Sequence, residues 1–279
     1  MNLDPETLCH AAEAIHSAEG MVIVAGAGMA VESGLPALRN DEDLWREYPA
    51  LGAAGLSWAE VGDPHWFLRD GPAAWGFYGT RLETFRRTNP HAGYAQLRAW
   101  AETKPAGGFV VTSNSDGHFQ KAGFADEHVF EALGSMEHCQ CAKPCCAATW
   151  PTPAALPLAI DPATLRADGE LPRCVRCGGL ARPNVRTETE ENWSPGRSTM
   201  QQVLFRAWVR SLTRGGFVVL ELGTDGDDLS VRPIAEQLAG AARVPLVRIN
   251  DRETAAPPNA LLLSGGVPAT LEALAGAMG

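Results

Sequence analysis

The chain has 279 residues, 45% of them apolar and 20% charged, enough to bury the core of one large domain, or of one domain with a smaller partner. Its formal net charge of −10, without any long basic run, disfavours nucleic acid as a partner. No run of about 18 apolar residues suggests a membrane span. The opening MNLDPETLCH lacks the basic-then-apolar order of a signal peptide, so a cytoplasmic protein is expected.

Asp4 followed by Pro5 marks a helix start, and Leu8, Ala11, Ala12 and Ile15 give it one apolar stripe to about residue 18. Residues 21–25, MVIVA, are apolar without alternation, the pattern of a strand buried on both faces of a parallel sheet. Gly26, Ala27 and Gly28 follow at once. A glycine turn between strand and helix lets backbone N–H groups approach a diphosphate. The next glycine is Gly34, too late for the full GxGxxG fingerprint, so a dinucleotide cradle and a plain turn both stay open. Residues 40–70 carry Trp45, Tyr48, Trp58, Trp66 and Phe67 without a period, and read as loops and short helices over a pocket. Trp75, Tyr78, Leu82 and Phe85 recur at helical spacing, as do Tyr94, Leu97 and Trp100, and read as packing faces. Strands are expected at 109–112 and 129–131. After residue 135 cysteines and prolines make a poor setting for regular structure. Helical spacing returns through Leu204, Trp208 and Leu212, followed by strands at 217–222, 246–249 and 260–263 and a closing helix from Pro268. Strands alternating with helices at both ends predict an α/β fold: a parallel sheet, 1–135 and 195–279, with a helical insertion at about 40–90. The cysteine-rich stretch 136–194 is then a small inserted domain.

Six of seven cysteines lie from Cys139 to Cys177, which points to a local site rather than a disulfide framework. Cys141 and Cys145 form a C-x3-C pair, Cys174 and Cys177 a C-x2-C pair, and Gly178-Gly179 suits the turn of a zinc knuckle. Two such pairs can place four thiolates tetrahedrally around Zn2+, a closed site that holds structure rather than doing chemistry. Cys139, Cys146 and His138 are close enough in sequence to compete as ligands. The loop Thr112-Ser113-Asn114-Ser115-Asp116-Gly117-His118 leaves the carboxyl end of an expected strand, where open parallel sheets bind ligands. Asn114 and Asp116 could meet a nucleotide there, or only form an Asx-turn. The acidic run Asp225-Gly226-Asp227-Asp228 lacks the spacing and closing glutamate of a calcium loop and reads as solvated.

Taken in order, these pieces resemble the sirtuin family. GAGMAVESGLPALRN is similar to the sirtuin GAGxSxxSGIPDFRG, and TSNSDGHFQKAG to TQNxDxLHxxAG. Residues 131–135, EALGS, lie where sirtuins carry E-x-HGS; CGGLARPNV resembles CGGxxRPxV. Gly223-Thr224 with Val231-Arg232-Pro233 resembles GTSxxVxP, and Ile249-Asn250 resembles the IN that meets the adenosine ribose. The resemblance runs from about residue 20 to the end. It implies a Rossmann-like domain, a small zinc domain and NAD in the cleft between them. Gly26, Ala27 and Gly28 would hold the diphosphate region, Arg39 a phosphate, Asn114 and Asp116 the nicotinamide ribose, Gly223 and Thr224 the phosphate and ribose side, and Asn250 the adenosine end.

The departures cluster at the reactive end of the cofactor. Leu133 stands where sirtuins carry the histidine base, and a hydrocarbon neither takes nor gives a proton. Ala37-Leu38 replace the DF of the signature, Ala30 its serine, and Ser113 the Gln of TQN. Polar residues 186–190, RTETE, replace the strand that pairs with an acyl-lysine peptide. His118 is the candidate substitute base, which makes Asn114, Asp116 and His118 the expected catalytic set. The expected activity is cleavage of the nicotinamide–ribose bond of NAD, with ADP-ribose passed to water or to a protein or small-molecule acceptor. The alternatives are an inactive nucleotide- or partner-binding pseudoenzyme, and a cleft serving another small-molecule reaction.

Overall fold

The computed structural model of the chain describes residues 3–187, 192–212, 216–226, 228, 230–252 and 255–279. Among the described residues eleven strands follow one another: β1 (Gly20–Ala25), β2 (Gly108–Thr112), β3 (Val129–Glu131), β4 (Gly134–Cys141), β5 (Thr149–Pro151), β6 (Leu158–Asp161), β7 (Arg166–Gly169), β8 (Ala181–Val185), β9 (Phe217–Leu222), β10 (Leu246–Asn250) and β11 (Ala260–Ser264). Six of them form one sheet in the order β11-β10-β9-β1-β2-β3, and all of its pairs are parallel. The strands expected at 21–25, 109–112, 129–131, 217–222, 246–249 and 260–263 are therefore present, displaced by one residue at most.

Their apolar runs have no polar side because both faces are covered. Met21, Ile23 and Ala25 point into a core shared with helices Pro5–Ser17, Ala92–Thr103 and Val267–Met278. Val22 and Val24 point into a second core with helices Gly196–Ser211 and Arg232–Ala242. The two-residue period of a strand divides the run between the layers. The first helix opens as expected, with the Asp4 carboxylate accepting from the Thr7 amide at 2.9 Å.

From β1 the chain steps outward through β2 and β3, returns to β9 on the other side of β1, and steps outward again through β10 and β11. The direction of winding reverses between β1 and β9. In doubly wound sheets a crevice opens beyond the carboxyl ends of the strands at such a point.

The cysteine-rich stretch is more regular than its composition suggested. β4 lies between β5 and β8 in an antiparallel sheet, and β6 and β7 form a hairpin. Pro183 and Pro151 are accommodated because β8 and β5 are edge strands, where a missing N–H costs no ladder bond. Residues 40–70 do form short helices, Asp41–Glu47, Pro49–Ala53, Trp58–Gly62 and Trp66–Arg69. They border a pocket lined by Pro64, His65 and Leu68 with Ala142, Lys143 and Asn192. With Trp75 and Phe77 of helix Gly71–Arg87 they share an apolar core with Cys139, Leu165, Ala167 and Ala181 of the cysteine-bearing lobe. That lobe thus completes its interior with the helical insertion.

Candidate functional site

The glycine turn after β1 packs against backbone. A Cβ on Gly26 would lie 2.6 Å from the Thr224 Cα, and one on Gly28 would lie 2.8 Å from the Gly223 Cα. The Gly26 and Gly28 amides donate to the carbonyls of Leu222 (3.0 Å) and Gly223 (2.8 Å). The space freed by these glycines is therefore filled by the loop after β9, and their N–H groups are already paired. Ala27, between them, is exposed at the first position of helix Ala27–Val31 and has no intrahelical acceptor for its amide.

The loop after β2 is tied to the same turn. Thr112 Oγ1 and the Ser113 amide both donate to the Ala25 carbonyl, at 2.8 and 3.2 Å. Asn114 Nδ2 donates to the Gly26 carbonyl at 2.9 Å, leaving Oδ1 as the acceptor of a half-buried side chain. Asp116 is buried and accepts from the His118 amide at 2.8 Å, the Asx-turn anticipated as one of the two readings. Burial pushes its carboxyl above the usual range, against the opposing pull of His118 and Arg81.

His118 is not presented as a base. It is wholly buried, edge-on to Tyr94 with ring centroids 5.9 Å apart, and its Nε2 lies 3.4 Å from the Phe85 carbonyl. The short helix His118–Lys121 turns the ring inward, toward the Gly71–Arg87 and Ala92–Thr103 helices.

Leu133 runs beside the Asn114 loop. The Ala132 amide donates to the Thr112 carbonyl (2.8 Å) and the Met136 amide to the Ser115 carbonyl (2.9 Å), so the start of β4 is laid along residues 112–115. The Leu133 side chain is half-buried and belongs to none of the apolar clusters. Its carbonyl accepts from Arg186 at 2.8 Å. Of the polar segment expected near the substrate, Arg186 and Thr187 are described, and residues 188–190 lie outside the described residues.

On the β9 side, Gly223, Thr224 and Asn250 are buried. Thr224 Oγ1 donates to Glu221, and Asn250 Nδ2 donates to the Thr224 carbonyl at 2.7 Å. Expected to line a ligand, these side chains instead brace the loop that meets the glycine turn. Asp228 reaches across the end of β1 and accepts from Ser113 Oγ at 2.7 Å; Asp227 lies outside the described residues. Arg39 is exposed, its guanidinium in no ion pair with a described residue. Sequence reasoning missed the Ser113–Asp228 bond, and also Glu131, buried beside Arg197 at 2.5 Å. For Glu131 the signals available were its place at the start of the EALGS motif and at the end of a strand otherwise expected to be buried.

In the cysteine-bearing lobe, the sulfurs of Cys141, Cys145, Cys174 and Cys177 all lie within 4.8 Å of one another. The Cys141–Cys177 and Cys145–Cys174 separations are 3.8 and 3.6 Å. Tetrahedral Zn–S bonds of about 2.3 Å place sulfurs about 3.8 Å apart, so the cluster fits a four-thiolate zinc. The Cys174 turn closes with the Gly178 amide on the Cys174 carbonyl at 2.9 Å, as Gly178-Gly179 suggested. The competing side chains stand outside this group. Cys139 is buried against Thr152 Oγ1 at 3.3 Å, and burial pushes its thiol up to about 11. His138 sits on β4 opposite Pro151, and Cys146 Sγ lies 3.7 Å from that of Cys145 but outside the four-sulfur group.

Comparison with known proteins agrees with this architecture. The sequence profile of the Sir2 family matches residues 26–195. The NAD-dependent protein deacylase of Pyrococcus furiosus is 30% identical over 204 residues, covering 72% of this chain and 70% of its own. That of Aquifex aeolicus is 28% identical over 237 residues, covering 84% of each. Among solved structures, a mutant Sir2 homologue in complex with ADP-ribose superposes with a TM-score of 0.70 at 23% identity, covering 98% of this chain and 96% of the other. A Sir2 homologue in complex with NAD gives 0.69 at 21%, covering 96% and 93%. No helix among the described residues is long and apolar enough to cross a membrane. With more than half of its length matched by the profile, and a 30% identical relative covering 72% of it, the chain is a member of the Sir2 family.

Proposed function

We propose that the chain binds NAD in the crevice beyond β1 and β9 and cleaves its nicotinamide–ribose bond, passing ADP-ribose to water or to an acceptor, without histidine-dependent deacylation. The observation that carries this reading is the 2.9 Å bond from Asn114 to the Gly26 carbonyl. It unites the glycine turn with the Asn114 loop, along which Leu133 is also laid. The relatives named NAD-dependent protein deacylases, and neighbours in complex with NAD and ADP-ribose, support the same ligand class.

Bound there, NAD supplies an activated glycosidic bond whose leaving group is nicotinamide. Asn114 Oδ1 is suited to accept from a ribose hydroxyl, and Ala27 and Arg39 offer an amide and a cation to the diphosphate. Asp116 shapes the loop through its bond to the His118 amide. Leu133 can take no proton, and loss of a general base typically costs about 10²–10⁴-fold. The acyl-transfer half of sirtuin chemistry is therefore the half expected to be weak.

The test is nicotinamide release from NAD by the purified protein, with and without an acetyl-lysine peptide. Slow release that does not need the peptide and falls at least about tenfold in Asn114→Ala supports the reading. No release under any condition ends it. A second reading, nucleotide binding without turnover, is favoured by the Ser113–Asp228 bond, which sets a carboxylate across the end of β1. Calorimetric binding of ADP-ribose without nicotinamide release would select it.

A further inference from the structure

Opposite charges interrupt two adjacent strands of the central sheet. Glu221 in β9 and Arg248 in β10 are register partners, 0% and 1% exposed. Arg248 Nη2 lies 2.7 Å from Glu221 and 2.6 Å from Glu236 of helix Arg232–Ala242. Its Nη1 donates to the Ala255 carbonyl at 2.5 Å, which also accepts from Arg232 at 2.9 Å. The other Glu221 oxygen accepts from Thr224 Oγ1, and the Thr224 carbonyl accepts from Asn250. We propose that Glu221 and Arg248 are a positioning pair that fixes the Gly223–Thr224 backbone against the glycine turn, and so sets the adenosine end of the crevice. The ligand half of this inference rests on the NAD reading above.

Stability alone does not account for the pair. Each buried ion costs several kcal/mol of solvation, and well-packed apolar residues in such places are often as stable or more so. What leucine and methionine could not do is hold the Thr224 hydroxyl. Glu221 is acceptor-only when ionised, so Thr224 Oγ1 must donate to it, and that bond fixes the Thr224 side chain. The Thr224 carbonyl is held by Asn250 and the Gly223 carbonyl by the Gly28 amide at 2.8 Å. The facing contact has no slack, with virtual Cβ positions on Gly26 and Gly28 at 2.6–2.9 Å from residues 223–224. A shift of the Thr224 loop is therefore passed to the turn, while Glu236, reaching solvent, anchors the far end of the network.

The test compares wild type with Glu221→Leu/Arg248→Met, and Thr224→Val with Thr224→Ser. Amide hydrogen exchange at Gly28, melting temperature, and calorimetric affinities for ADP-ribose and nicotinamide mononucleotide are read in each. The double variant and Thr224→Val are expected to lose about tenfold or more in Gly28 protection, with β4 amides and the melting temperature little changed. Thr224→Ser, which keeps the hydroxyl, restores it. The ADP-ribose Kd rises about tenfold or more, and that of nicotinamide mononucleotide stays within about twofold. Should the double variant not fold, Thr224→Val carries the same readout, since it removes one hydroxyl and no charge. Unchanged Gly28 protection in the folded variants overturns the proposal. If wild type binds neither ligand, the NAD reading falls, and the exchange data still decide whether the pair positions the loop.

Discussion

Gly28→Ala puts the packing of the crevice under direct strain. The new methyl group would stand 2.8 Å from the Gly223 Cα and 2.9 Å from its carbonyl oxygen, both backbone atoms that no rotamer change can move. Carbon atoms pack at about 3.5–4.0 Å, so the loop must retreat by about 1 Å. That retreat breaks the 2.8 Å bond from the Gly28 amide to the Gly223 carbonyl, worth about 1 kcal/mol. Overpacking adds about 1–3 kcal/mol, for a total of about 2–4 kcal/mol. Gly240→Ala is the internal control. Gly240 is exposed within helix Arg232–Ala242, and a Cβ there meets nothing within 4 Å. Helix propensity alone should make that variant more stable by up to about 1 kcal/mol. Urea unfolding measures both as shifts in midpoint at constant slope. A Gly28→Ala protein as stable as wild type would mean that the two loops are not held at the observed separation, and the positioning argument would lose its lever.

Removing metal with a thiol-compatible chelator is expected to abolish the ordered fold of the cysteine-bearing lobe, read as lost exchange protection in β4 and β8, with about one zinc released per chain by metal analysis; metal-free protein with unchanged protection would count against a structural zinc. Stability is expected to fall as pH is lowered from about 6.5 toward about 4, because burial holds both His91 and His138 at about 4. The sign follows from linkage: between the folded value and the ordinary one near 6.5 the unfolded chain binds more protons, so acid favours unfolding. A pH series of melting temperatures checks it, and the slope should flatten in His91→Gln/His138→Gln. Arg197→Met strands the Glu131 carboxylate, which burial already pushes above its usual range, and should cost about 3–5 kcal/mol in urea. Adding Glu131→Gln to it should recover most of that loss. Leu133→His should raise peptide-dependent deacylation by about 10²-fold over wild type, followed by mass spectrometry of an acetyl-lysine peptide; no gain in a folded variant that still binds NAD would count against residue 133 as the group that limits deacylation.

The central sheet was legible because its strands are short, mainly apolar runs without polar alternation, a pattern that needs two covered faces. The zinc cluster was legible because its ligands come as two close pairs. What could not be read was which partner each site residue would choose. Gly26 and Gly28 were read as making room for a ligand, yet the backbone that fills their space is almost 200 residues away in sequence, at Gly223 and Thr224. His118 was read as a base from its place in a loop, but a helix of four residues turns its ring into the core. Glu221 and Arg248 did leave a trace, one charge of each sign in FVVLEL and LVRIN. Their pairing depended on the register of two strands, which composition does not carry. The regularity of the cysteine-bearing lobe was hidden for a similar reason, since proline is excluded from a central strand but not from an edge, and only the assembled sheet says which is which.

Hydrogen-bond accounting at the crevice separates two kinds of residue that sequence motifs run together. Gly26, Gly28, Gly223, Thr224, Asn250 and Asp116 spend their amides or side chains on one another and on the loops they join. Ala27 and Arg39 are exposed, and Asn114 and Leu133 are half-buried at the mouth. On the proposed reading, a nucleotide in the crevice would meet the second set first and inherit its geometry from the first. Substitutions in the first set should therefore move local exchange protection and binding together, and those in the second should move binding or turnover alone. On that division, a change at Leu133 or Asn114 can alter the chemistry at the edge of the crevice while the braced loops keep the fold intact.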